Sequence, residues 1–94
     1  MIRSFGDKET ARVSRGDRSR KLPPDIQFKA FALLRQMDEV AIWTDLRSPP
    51  GNRLHALHGD REGQYAIRIN NQWRIVFRPS SEGLADVEIT DYHG

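Results

Sequence analysis

Residues 47–77 combine phosphate-binding side chains with the sequence pattern of β-strands. Five arginines and two histidines lie there among strand-forming apolar residues. Arginine suits bidentate contact with phosphate, and it outnumbers lysine in this chain, although a high-GC genome would also enrich arginine. We interpret the stretch as a site for a phosphate-bearing partner, and we expect that partner to be RNA.

Three histidines are candidate proton carriers. His93 follows Asp91 and Tyr92 at the end of the sequence, and a histidine there can exchange a proton near neutral pH. A surface histidine without a function is the competing interpretation. His55 and His58 lack a third ligand in a recognisable zinc pattern. We therefore expect no metal and no cofactor, and we favour the histidines as proton carriers or phosphate donors.

Metal-free cleavage of RNA makes three chemical demands. The ribose 2′-hydroxyl must lose a proton as it attacks the phosphorus, cations must stabilise the phosphorane, and the departing 5′-oxygen must receive a proton. Histidine, tyrosine and arginine can meet these demands. Because DNA lacks the 2′-hydroxyl, such chemistry would be specific for RNA.

Hydrophobic periodicity predicts two helices in the first half of the chain. Residues 2–5 alternate like a short strand, after which Asp7 can cap a helix that runs through about Val13. Apolar positions at helical spacing predict a longer helix over residues 24–39. A short helical piece around residues 42–46 follows, and the PPG sequence ends it.

The segment between the two predicted helices is strongly basic. It reads as a polar loop or a frayed helix end in which five cations accompany one anion, Asp17. Such a patch favours RNA contact, and a solvated face is the alternative. The candidate RNA-binding residues of this segment are Arg12, Arg15, Arg18, Arg20 and Lys21.

After the PPG sequence the apolar period changes from helical to two. Leu54 and Leu57 indicate a short strand, and residues 84–91 form a last strand with Val87 and Ile89 inward. Two central strands place Tyr65, Ile67, Ile69, Trp73, Ile75 and Phe77 on one face and Arg68, Arg74, Val76 and Arg78 on the other.

The register of the two central strands brings two arginines together. A loop of residues 70–72 lets the apolar residues pair on one face, and the same register sets Arg68 opposite Arg74. Like charges that face each other across strands are destabilising, so a bridging anion would explain the pair. The alternative is that Glu88, on the next strand with the same outward parity, neutralises both.

The order of elements predicts an α+β domain. We expect a small, mainly antiparallel sheet of about four to five strands with two N-terminal helices packed on one face. The length fits one domain over residues 1–94. Because no apolar run could span a membrane, the first residues lack a signal-peptide pattern and there is no cysteine, we expect the cytoplasm.

The motifs PPGNRL, GDREGQY, INNQWR and DYH occur in this order, and together they resemble the HigB branch of the RelE toxin superfamily. The resemblance is strong over residues 45–93 and loose over residues 1–44. It implies a RelE-like fold and a ribosome-dependent endoribonuclease that cuts messenger RNA. It also implies inhibition by a helix-turn-helix antitoxin, HigA.

The resemblance also implies roles for individual residues. His93 would transfer a proton, with Asp91, Tyr92 and His55 as its neighbours, and Arg74 would stabilise the scissile phosphate. Relatives carry either histidine or glutamate at position 55. The remaining candidate RNA-binding residues are Arg68 and His58, and the N-terminal arginines would touch ribosomal RNA.

Two other functions stay open. ParE-like toxins of the same superfamily inhibit DNA gyrase and cut no RNA, and such a toxin would stay toxic after replacement of His93. A plain RNA-binding domain would bind without turnover and would leave the length of messenger RNA unchanged.

Overall fold

The computed structural model describes residues 1–91, in which two helices cover one face of a four-stranded antiparallel sheet. The predicted α+β architecture is confirmed. The strands lie in the sheet in the order in which they occur along the chain. The helices are α1 (Lys8–Ser14) and α2 (Pro24–Glu39), and the strands are β1 (His55–Ala56), β2 (Tyr65–Arg68), β3 (Trp73–Ser80) and β4 (Gly83–Asp91).

Both helices form where the periodicity predicts them. Oδ1 of Asp7 accepts from the backbone N–H of Thr10 at 2.7 Å, which is the predicted N-cap of α1. Proline occupies the first turn of α2, where its missing N–H costs no intrahelical hydrogen bond. The helix buries one apolar face and ends at Val40, which is extended. No helix within residues 1–91 is long and apolar enough to cross a membrane.

The predicted strand over residues 2–5 is reduced to two isolated bridges. Ile2 pairs with Leu84 and Phe5 with Val87, both in parallel orientation. Between these bridges Asp86 takes a positive φ of 53°, and its backbone N–H donates to Oγ of Ser4 at 2.8 Å. A continuous ladder is interrupted because this backbone hydrogen bond goes to a side chain.

Short 3-10 turns replace helix in the connection to the sheet. The helical piece predicted around residues 42–46 is the 3-10 turn Trp43–Arg47, and a second turn, Pro50–Asn52, follows it. The predicted strand near Leu54 and Leu57 is the two-residue β1. These turns and β1 carry the PPGNRL motif to the edge of the sheet.

The core lies between the helices and the inner face of the sheet. Ile67, Ile75 and Phe77 are fully buried there, and Leu34 and Met37 of α2 pack against them. Complete burial of a side chain of this kind contributes about 1.5–3 kcal/mol. The predicted inward face of the strands is therefore the face that the helices cover.

The outer face of the sheet is only partly covered. Ala66 and Val76 are buried on this side, although neither α1 nor α2 packs there. The chain between β1 and β2 folds back across it: Leu57 N–H donates to the Gln64 carbonyl oxygen at 2.9 Å, and Arg61 reaches Glu88 of β4. This loop leaves an opening toward the end of β4.

Candidate active site

A cleft of about 540 Å³ opens on the outer face of the sheet. β1 and the loop after it form one wall, and the end of β4 forms the other. The site is therefore assembled from segments that are far apart in the sequence. The side chains that matter for its chemistry are His55, His58 and Arg61 on one wall, Val76 from β3, and Thr90 and Asp91 on the other wall.

Strand register sets the order of side chains beside this cleft. His55 is paired with Ala66, which is paired in turn with Val76. Arg74 is paired with Thr90, which lines the cleft. Neighbouring strands lie about 4.8 Å apart, and directly paired residues point to the same face. The side chain of Arg74 therefore projects from β3, next to the wall of the cleft that β4 forms.

The predicted pairing of Arg68 with Arg74 is confirmed by the register of β2 and β3. Both side chains contact the loop that joins these strands: Nη2 of Arg68 donates to Oδ1 of Asn71, and Nη1 of Arg74 donates to the carbonyl oxygen of Asn70. Oδ1 of Asn70 accepts from the backbone N–H groups of Gln72 and Trp73 at 2.8 and 2.7 Å. The loop thus orients two cations on one face.

Glu88 is the anion that could neutralise this pair of arginines. It lies opposite Val76, and within residues 1–91 its ion pair is with Nη1 of Arg61 at 3.6 Å. Arg61 also donates to Oε1 of Gln64 at 3.2 Å. Arg61 is not predictable from the sequence as a residue of the cleft, because a turn such as GDREG has no periodicity that would indicate a direction for its side chains.

The imidazole of His55 is held by the backbone. Its Nδ1 lies 2.8 Å from the carbonyl oxygen of Arg53. A carbonyl oxygen can only accept, so this contact requires a proton on Nδ1. In the neutral ring Nε2 then carries the lone pair, and an exposed His55 can act as a proton acceptor through that atom.

His58 and Asp91 occupy opposite walls of the cleft. Nδ1 of His58 lies 3.8 Å from the carboxylate of Glu62, but these side chains are 85% and 78% exposed, so the pair contributes little to stability. Asp91 is paired with Trp73 in the sheet, and Nε2 of Gln72 donates to its Oδ2 at 3.2 Å. His58 and Asp91 thus face one cavity from two different elements.

Two of the predicted catalytic residues, Tyr92 and His93, lie outside the described residues. Asp91 is the last residue that the structure describes, and it lines the cleft. The structure therefore brings His55, His58 and Asp91 together on one cleft, whereas Arg74 does not line the cleft and is paired in the sheet with Thr90, which does. Residues 1–91 contain no group of three or more histidine, aspartate or glutamate side chains that could hold a metal ion.

The basic segment does not reach this cleft, because it connects the two helices on the other face of the sheet. The predicted polar loop forms between Ser14 and Pro24, and Ser19, which is only 2% exposed, attaches it to the helices. Ser19 Oγ donates to Glu9 at 2.6 Å, and its N–H donates to Oε1 of Gln27 at 3.0 Å. Arg15, Arg18, Arg20 and Lys21 are exposed, whereas Arg12 is half-buried.

The carboxylate of Glu9 accepts one of the hydrogen bonds that attach the basic segment to the helices. The Ser19 hydroxyl lowers the pKa of Glu9 most, and the nearby cations Arg12, Lys21 and Lys8 lower it further, while burial acts in the opposite direction. Arg12 lies 3.6 Å from this carboxylate. Arg15 likewise lies 3.4 Å from the carboxylate of Asp17, although both of these side chains are exposed. Arg12 is therefore the half-buried member of the basic segment, and the other four cations are exposed to solvent.

Solved structures share this arrangement of helices and sheet. YafQ from E. coli strain BL21(DE3) matches with a TM-score of 0.58, and a point mutant of YafQ from E. coli matches with a TM-score of 0.64. Each match covers 97% of this chain and 91% of the other at 12% sequence identity. The architecture therefore defines a RelE-like fold.

Sequence comparison narrows this class to one family. The family model described as "RelE-like toxin of type II toxin-antitoxin system HigB" matches residues 3–93. The toxin HigB-1 of Vibrio cholerae serotype O1 is 37% identical over 79 residues, which cover 83% of each chain. The endoribonuclease HigB of Proteus vulgaris is 39% identical over 41 residues, or 44% of this chain and 45% of that one. This chain belongs to the HigB-like toxin family.

Proposed function

We propose that this toxin is an endoribonuclease that cuts messenger RNA on the ribosome without a metal ion. The observation that carries the proposal is the shared cleft: His55 and Asp91 line it from opposite walls, and Arg74 is paired with a residue of the cleft wall. The similarity to an endoribonuclease HigB supports the reaction class. The proposal includes the cytoplasm, where messenger RNA and ribosomes meet.

The proposed reaction divides proton transfer between two imidazoles. Nε2 of His55 accepts the proton of the 2′-hydroxyl as its oxygen attacks the adjacent phosphorus. His93 donates a proton to the departing 5′-oxygen, with Tyr92 and Asp91 as its neighbours. The phosphorus–oxygen bond to the 5′-oxygen then breaks and leaves a 2′,3′-cyclic phosphate. Each transfer of this kind contributes about 10²–10⁴ in rate.

Two arginines of the sheet supply the positive charge that the reaction needs. Arg74 would stabilise the charge that develops on the phosphorane, because a guanidinium presents several donors to phosphate oxygens. Arg68 lies opposite it in the register and would hold a neighbouring phosphate. His58, on the cleft wall, would donate to the RNA backbone when protonated.

Dependence on the ribosome fits the shape of the site. The cleft is an open depression on one face of the sheet, so it encloses little of an RNA chain. A partner that holds the messenger in a reactive geometry would supply the orientation that the cleft lacks. The exposed cations Arg15, Arg18, Arg20 and Lys21, on the helical side, would anchor the toxin to ribosomal RNA.

Membership of this family implies an antitoxin partner. We propose that this partner is a HigA-type helix-turn-helix protein. A downstream reading frame for such a protein beside the toxin gene would support the assignment.

The proposed function is tested with purified toxin, programmed ribosomes and a defined messenger RNA. We expect cleavage with a 2′,3′-cyclic phosphate end, and we expect strong losses for His93→Ala, His55→Ala and Arg74→Ala. Arg3→Ala is the matched control, because Arg3 is exposed and its ion pair is with Glu82 in the β3–β4 turn. Full cleavage by His93→Ala would reject its assigned role. An intact messenger together with inhibited DNA gyrase would favour the ParE-like alternative.

A further inference from the structure

Asn52 is the last residue of the turn Pro50–Asn52, which leads into β1, and its side-chain amide is buried. It is 4% exposed, and its Nδ2 group donates to the carbonyl oxygens of Leu46 at 3.0 Å and Ser48 at 3.3 Å. The same group lies 3.4 Å from Oε1 of Gln36, whose Nε2 donates to the Ser48 carbonyl oxygen at 2.7 Å. These contacts join the turn Pro50–Asn52 to the preceding turn and to α2.

Arg53, directly after this amide, has a left-handed backbone conformation with φ 50° and ψ 49°. A residue other than glycine is uncommon there unless its surroundings hold it. The backbone N–H of Arg53 donates to the Pro50 carbonyl oxygen at 3.1 Å. The Arg53 carbonyl oxygen, in turn, lies 2.8 Å from Nδ1 of His55. The turn and the histidine contact therefore form one continuous chain of interactions.

We propose that Asn52 is a positioning residue that fixes the tautomer of His55. By holding the turn in which Arg53 is left-handed, it keeps the Arg53 carbonyl oxygen against Nδ1. Because this oxygen only accepts, the proton of the neutral ring stays on Nδ1 and the lone pair stays on Nε2. The importance for catalysis rests on the proposed function, whereas the state of the ring does not.

The NMR experiment measures the ring of His55 directly. The full chain is labelled with ¹⁵N in its histidine rings and studied at about pH 8.5, where an unperturbed imidazole is neutral. Long-range ¹H–¹⁵N correlations show which ring nitrogen carries the proton, and a His55→Gln variant assigns the signals. We expect the Nδ1–H tautomer in the unmodified chain and a shift toward Nε2–H in Asn52→Ala.

Gln27→Ala is the matched control. Gln27 is another amide that fastens a loop by three hydrogen bonds: it accepts from the Ser19 N–H at 3.0 Å and donates to the carbonyl oxygens of Ser19 and Leu22 at 2.8 and 2.9 Å. These bonds lie on the helical side of the sheet. We expect this replacement to lower the thermal midpoint while it leaves the His55 tautomer unchanged.

Each outcome of the experiment bears on the proposal. An unmodified chain in which neutral His55 carries its proton on Nε2 overturns it, whatever the variants do. A folded Asn52→Ala variant that retains the Nδ1–H tautomer also overturns it. If Asn52→Ala does not fold, Gln36→Ala replaces it, since this change removes the direct bond to the Ser48 carbonyl oxygen and one acceptor of Asn52. A partial tautomer shift in folded Gln36→Ala supports the proposal, and no shift overturns it.

Cleavage assays then separate this proposal from the proposed function. If both hold, Asn52→Ala lowers kcat on ribosome-bound messenger while KM changes little, because the defect is in proton acceptance. If Asn52→Ala loses the Nδ1–H tautomer but the unmodified chain cleaves no messenger, the role of Asn52 is supported and the nuclease function is rejected. A kcat that stays unchanged after the tautomer has shifted shows that His55 Nε2 is not the proton acceptor, and this would reject its catalytic assignment.

Discussion

Arg68 and Arg74 face each other across β2 and β3, and both guanidinium groups donate to the loop that joins these strands. Two like charges at this position repel each other. The loop offsets part of this repulsion, because the amide oxygen of Asn71 accepts from Arg68 and the carbonyl oxygen of Asn70 accepts from Arg74. Two guanidinium groups held side by side on one face of the sheet suit a phosphate, whose oxygens accept from several donors.

Replacement of Arg74 tests this relationship. We expect Arg74→Ala to lower the rate of messenger cleavage by on the order of 10², which is typical for the loss of one donor to a developing oxyanion. Arg74→Lys should recover only part of the rate, because an ammonium group lacks the planar, bidentate donors of a guanidinium. Single-turnover cleavage on ribosomes measures both. Equal rates for Arg74→Lys and the unmodified toxin would show that charge alone suffices.

Asn70 is expected to stabilise the hairpin that carries both arginines. Asn70→Ala removes two acceptor contacts, to the N–H groups of Gln72 and Trp73. We expect a loss of about 1–2 kcal/mol in the free energy of unfolding, measured by urea denaturation. Asn71→Ala is the matched control. Its hydrogen bond to Arg68 is exposed, so its effect should be smaller, and equal losses would contradict the role of Asn70.

Helix bounds and strand register were predictable because they depend on regular patterns. Asp7 at the N-cap and the apolar face of α2 identify the helices, and alternation in β2 and β3 leaves one register that buries Ile67 and Ile75. The buried polar residues that attach the loops to the rest of the fold were not predictable in this way. Ser19 and Asn52 are polar residues in loops, where no period indicates burial and the partners are distant in sequence.

Ser19 is expected to control the ionisation of Glu9. The pKa of Glu9 is lowered chiefly by the Ser19 hydroxyl, so ionised Glu9 favours the folded chain. This contribution is present above the ordinary carboxyl pKa and is lost as the pH falls through the lower pKa of the folded chain. Ser19→Ala should raise the pKa of Glu9, as measured by NMR titration of its carboxyl carbon.

Ser14→Ala provides the control for that titration. Ser14 also makes a hydroxyl hydrogen bond, in this case to the Ala11 carbonyl oxygen at 2.7 Å, and Glu9 does not take part in it. We expect the pKa of Glu9 to stay unchanged in this variant. If both serine variants raised the pKa equally, the cause would be a general loosening of α1 rather than the hydroxyl of Ser19.

The basic segment is expected to govern affinity for the ribosome and not the chemical step. Its four exposed cations lie on the helical side, away from the cleft. Each phosphate contact that is lost should reduce the slope of log affinity against log salt by about 1. A variant with glutamine at Arg15, Arg18, Arg20 and Lys21 should therefore bind ribosomes more weakly and with less dependence on salt. It should still cleave at the normal rate when ribosomes are saturating.

Glutamine at Lys29 and Arg35 of α2 is the matched control for that variant, since both side chains are exposed cations outside the segment. Titration of labelled ribosomes at several salt concentrations measures the slope, and single-turnover cleavage measures the chemical step. An unchanged slope in the segment variant would mean that these four cations form only a solvated face. A loss of the saturated rate would instead connect the segment to the reacting nucleotide, which lies on the other face of the sheet under the proposed function.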